Sequence, residues 1–74
     1  MSHATRKWPD WVVVHDDFRT GVLKVIVYHE HLAETFVVPM NATFEQIWPN
    51  MVNAKRRIIN IYRESMRVAE RLEQ

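Results

Sequence analysis

The sequence predicts an α+β fold: an N-terminal three-stranded antiparallel β-meander followed by one long C-terminal α-helix (βββα), the helix kinked near Pro49. Three observations carry this. β-branched and aromatic residues crowd the stretch from Trp11 to Val38, the only glycine (Gly21) falls between two of those runs, and after Pro39 the apolar residues recur at helical spacing.

The first strand is read in "WVVVHDDF" and the second in "VLKVIVYH". A lone glycine between two such runs supplies the positive φ that a tight turn needs, so Arg19 to Gly21 forms the first hairpin turn, pairing His15 with Val25 or Ile26. The second connection, Glu30 to Ala33, is polar but lacks Gly and Asn, which leaves its register open. "TFVV" is the third strand. Pro39, which cannot donate to a ladder, ends it.

Helix begins after that. Thr43 stands as N-cap and Gln46 at the third helical position, a capping box. Pro49 removes the bond to the Glu45 carbonyl, so the reading is a short first turn, a kink at Trp48 to Pro49, and a main helix from about Asn50 to Leu72. The whole is a single domain, 11–74, behind a flexible segment, 1–10.

Composition bounds the function. A chain of 74 residues buries only about 60% of the surface its unfolded form exposes, so its own core is thin. Without cysteine there is neither a disulfide framework nor a cysteine-based zinc site. The start "MSHATRKWPDW" has no apolar signal core and no stretch approaches 18 apolar residues, which points to a soluble, cytoplasmic chain with no membrane role. The net charge of +1 divides unevenly: residues 1–45 carry four Lys/Arg against six Asp/Glu, residues 46–74 six against three.

Two apolar seams run along the helix. Ile47, Met51, Ala54, Ile58, Ile61, Ser65, Val68 and Leu72 follow strict 4-3 spacing, and Trp48, Val52, Ile59, Tyr62, Met66 and Ala69 lie beside them. At 100° per residue they cover about 200° of the circumference, roughly twice what one sheet face requires. The helix also outreaches strands of seven or eight residues, so its end, with Ile61, Tyr62, Met66, Val68 and Leu72, overhangs the sheet and calls for a protein partner or a second copy, a homodimer. Trp8 and Trp48 join these as interface candidates, because Trp, Tyr and Arg dominate binding hot spots; the plainer role for both tryptophans is to cap the small core.

On the opposite arc, Arg56, Arg63, Arg67 and Arg71 form a row suited to phosphates or to an acidic protein surface. A row interrupted by Glu64 and Glu70 is also what a solvated face looks like.

The titratable clusters are weaker. In "YHEH" strand geometry aims His29 and His31 to one side, and Glu34 across the turn is the one carboxylate that could complete a metal set; a polar turn is the preferred reading, and no metal or cofactor is assigned. His15 with Asp16 and Asp17, and the hydroxyls of Thr20 and Ser65, assemble into no catalytic signature. "NAT" at 41–43 matches a glycosylation acceptor, but Thr43 is better used as a cap.

The sequence thus points to a small non-enzymatic interaction module, an inhibitor, adaptor or regulator of another protein that self-associates through its helix. The alternative is a nucleic-acid-binding regulator using the arginine row. Short chains of this kind are frequent among phage and mobile-element products, although no residue here carries that expectation.

Overall fold

Val12–Asp17 (β1), Val22–His29 (β2) and Leu32–Pro39 (β3) form one antiparallel sheet in the order β1-β2-β3, and Phe44–Glu73 (α1) lies across one face, in a computed structural model that describes residues 8–73. The βββα layout is the one the residue pattern predicts. Of the N-terminal segment, residues 1–7 lie outside the described residues, while Trp8 and Pro9 are half-buried.

The first hairpin differs from expectation by one or two residues. His15 stands opposite Lys24 and Asp17 opposite Val22, which leaves a four-residue loop, 18–21. Asp17 sets this register: its Oδ1 accepts from the amides of Arg19 (3.2 Å) and Thr20 (3.4 Å), and its carbonyl accepts from Gly21 (2.9 Å), whose φ is 72°. A one-residue slip exchanges the faces of a strand. The observed pairing sends His15 to the outer face with Lys24, and puts Val12 and Val14 with Val25 and Val27 on the helix side.

The second hairpin is a two-residue turn of Glu30 and His31, with His29 opposite Leu32. Glu30 has φ 57°, while His31 stays in the ordinary region. Positive φ at the first turn residue alone is the pattern of a II′ turn, a position normally filled by glycine.

Helix α1 starts where the capping box predicts. The Gln46 amide donates to Thr43 Oγ1 (3.2 Å) and the Thr43 amide to Gln46 Oε1 (3.0 Å). The helix then continues as one element through Pro49 to Glu73, without a fresh start at Asn50. Its buried residues, Ile47, Met51, Ala54 and Ile58, belong to the predicted 4-3 seam and pack on Val12, Val25 and Val27; Leu23, Leu32, Phe36 and Val38 close the margin.

At 1.5 Å per residue the 30-residue helix is about 45 Å long, against about 26 Å for an eight-residue strand. The molecule is correspondingly elongated. Its radius of gyration is 15.3 Å, where a compact chain of this length has about 11 Å. Among the described residues no helix is long and apolar enough to cross a membrane.

Candidate interaction surfaces

Ile58 is the last helical residue in the core, and the sheet ends one turn later at Tyr62. That ring is half-buried, edge-on to His29 at 5.2 Å and tilted against His31 at 6.0 Å. Every residue from Arg63 to Glu73 is exposed. The seam carries on regardless: Ile61 is 54% exposed, Val68 43% and Leu72 81%, with Met66 at 48% on the flank. Of the five overhanging residues singled out in the sequence, four are bare and Tyr62 is partly covered by the turn it rests on.

The two histidines therefore converge on an aromatic ring. Lys55 Nζ donates to the Tyr28 carbonyl (2.7 Å), lies 3.2 Å from His29 Nδ1 and sits 5.2 Å over the Trp11 ring. Glu34 is opposite Val27 and is held by Arg57, whose Nε lies 3.0 and 3.1 Å from its two carboxylate oxygens and whose Nη2 makes a further bond to Oε2. The hydrogen bonds from Arg57 hold the Glu34 carboxyl below its ordinary value, against the opposing effect of burial and with help from the Coulombic attraction; the same contact raises the guanidinium. His29, His31 and Glu34 thus do not form a ligand set. Among the described residues no group of three His, Cys, Asp or Glu side chains is placed to hold a metal ion.

At the other end of the contact, Trp8, Trp11, Phe44 and Trp48 form an aromatic cluster. Ring centroids are 5.1 Å apart for Trp8 and Phe44, 5.5 Å for Phe44 and Trp48, and 6.2 Å for Trp11 and Trp48. Trp8 is half-buried against the core, whereas Trp48 is 39% exposed and meets the rings of Trp11 and Phe44, so Trp8 caps the core while part of the cluster faces solvent.

Arg56, Arg63, Arg67 and Arg71 are all exposed. Arg67 pairs with Glu64 at 3.3 Å; the other three have no ion pair among the described residues. Residues 61–73 carry Arg63, Arg67 and Arg71 against Glu64, Glu70 and Glu73, a net charge of zero. The basic surplus of the C-terminal half resides in Lys55, Arg56 and Arg57, and two of these three are engaged with the sheet.

On the outer sheet face, Val13, Tyr28 and Val37 are exposed, and His15 and Asp17 border an open depression of about 430 Å³ beside Lys24 and Val37. Asp17 is occupied as the turn cap, and Thr20 (first turn) and Ser65 (overhang) lie toward opposite ends of the sheet, so neither a triad nor a carboxylate pair is assembled there.

Sequence reasoning missed Lys55 and Arg57. Both lie on the helix face adjoining the predicted seam, but their partners depend on hairpin register. No protein-family model, curated protein or solved structure matches the chain.

Proposed function

We propose that this chain is a small non-enzymatic interaction module, self-associating through the overhanging half of its helix and presenting its remaining surface to another protein as an inhibitor, adaptor or regulator. The observation that carries the reading is the bare seam of Ile61, Val68 and Leu72 with Met66 beside it. Fully burying a side chain of this size stabilises by about 1.5–3 kcal/mol, so four partly exposed ones give an association with a usable driving force. A chain with so thin a core has little other reason to hold a helix of this length in water. A cytoplasmic setting belongs to the same proposal and is supported by the absence of cysteine.

Light scattering over a wide concentration range tests this. The expected mass is that of two chains, falling to one on Met66→Glu, which changes an exposed residue and leaves the core intact. A single-chain mass at every concentration would sink the self-association.

The nucleic-acid alternative draws on the unpaired Arg56, Arg63 and Arg71. Four phosphate contacts would give a log K against log salt slope of about −3 to −4. Because Glu64, Glu70 and Glu73 cancel the field of the overhang, no binding to duplex DNA or RNA is expected even at low salt.

A further inference from the structure

From the exposed seam and its charges we infer that the occupant of the overhang is a second copy of this chain, packed antiparallel, with Ile61 against Leu72 and Ser65 against Val68 of the partner subunit. The inference rests on the self-association reading and gives it a geometry.

The seam is self-complementary in this direction. Ile61, Ser65, Val68 and Leu72 keep 4-3-4 spacing, so turning one helix end for end superposes the pattern on itself. Each layer then joins a large residue to a large one (Ile61 with Leu72) or the small Ser65 to Val68. Between those layers, one flank brings Glu64 beside Arg71 of the partner subunit, and the two-fold axis repeats the pair. The other flank brings Tyr62 beside Ala69 of the partner subunit, an apolar margin that the exposed Met66 extends. Parallel, in-register pairing loses this. It stacks Ser65 on its own equivalent, sets Glu64 beside Ala69, and crowds two sheets at one end of the helix pair.

Length and charge agree. In the antiparallel register Glu73 of the partner subunit stands level with Asn60, so the two helices overlap only along the stretch beyond the core, and the partner's last turn stops beside the Glu30–His31 turn. With three arginines and three glutamates between residues 61 and 73, two overhangs meet without net repulsion.

Charge reversal and mixing test the geometry. In E64R alone both cross-pairs become Arg–Arg, and in R71E alone both become Glu–Glu; each variant is expected to dimerise about tenfold more weakly than the wild type. An equimolar mixture of the two restores opposite charges at both cross-pairs, so its dissociation constant is expected to return to within about threefold of the wild-type value. E64R also removes the Glu64–Arg67 contact within one helix, which mixing cannot restore, so recovery on mixing reports the contact between copies alone. Helical circular dichroism confirms that each variant is folded. Single variants as tight as wild type, or a mixture that stays weak, would overturn the antiparallel register while leaving self-association standing. A wild-type chain that is monomeric at every concentration would overturn both and assign the face to a different protein.

Discussion

Glu30 holds a backbone conformation that an L side chain occupies at a cost of about 1–2 kcal/mol, and it is exposed at the first position of a two-residue turn. Glycine relieves that strain but gains freedom in the unfolded chain, so Glu30→Gly is expected to stabilise by about 1 kcal/mol, seen as a rise in Tm of about 4–8 °C. A lower Tm would show that the Glu30 side chain contributes something the turn geometry does not reveal. The absence of Gly and Asn at 30–33 left this register open in the sequence, and the strained glutamate is the physical reason. Glu34 gives a second prediction at this scale. Its folded value lies below its ordinary one, so the stabilisation is complete above the ordinary glutamate range and is lost as pH falls through the depressed value. Thermal melts of Glu34→Gln should therefore depend less on pH across the acid range than those of the parent, with the difference shrinking in high salt because Arg57 is largely exposed. Equal acid sensitivity in the two chains would exclude the pair as a contributor. Lys55, Arg57 and their partners were invisible beforehand because such contacts depend on which strand residue faces which helical turn.

Helix α1 was legible in its cap and buried face, the hairpins in their existence but not in their register, for reasons of range. Thr43 and Gln46 specify their reciprocal bonds within four residues, and the seam from Ile47 to Ile58 specifies its own buried face by period alone. The first hairpin, by contrast, turns on the Asp17 side chain, and choosing between a three- and a four-residue loop exchanges the faces of the strand. Pro49 falls between these cases. The sequence predicts a short first turn, a kink there and a main helix from about Asn50; the observed element is one helix from Phe44 to Glu73, and the proline leaves the carbonyl of the exposed Glu45 without its helical donor. Since Pro49 is itself exposed and a proline in a helix interior costs about 3 kcal/mol relative to alanine, Pro49→Ala is expected to raise stability by about 1–3 kcal/mol in urea titrations. An unchanged midpoint would mean that hydration already offsets the missing bond.

At the scale of the molecule, the core and the overhang are separable. Among the described residues every buried one lies at or before Ile58, and every residue from Arg63 to Glu73 is exposed. A chain ending at Arg63 keeps the seven buried residues, the capping box, the aromatic cluster and the Lys55 and Arg57 contacts, so it is expected to fold. It loses Met66, Val68 and Leu72, and with them most of the seam through which the proposed association would form. Association adds stability by mass action, so the Tm of the full chain should rise with protein concentration, about 1.4 kcal/mol of added stability per dimer for each tenfold increase, whereas the Tm of the shortened chain should not move. A concentration-independent Tm in both chains would leave the overhang without a second copy. Failure of the shortened chain to fold at all would place part of the stability of this thin core in the association itself, making folding and assembly one equilibrium, as in obligate dimers. The 53 Å length of the molecule is then intelligible as two segments in series: 19 helical residues, Phe44 to Tyr62, that cover a sheet, and a remainder whose exposed apolar face is completed, in the proposed dimer, by the helix of a second copy.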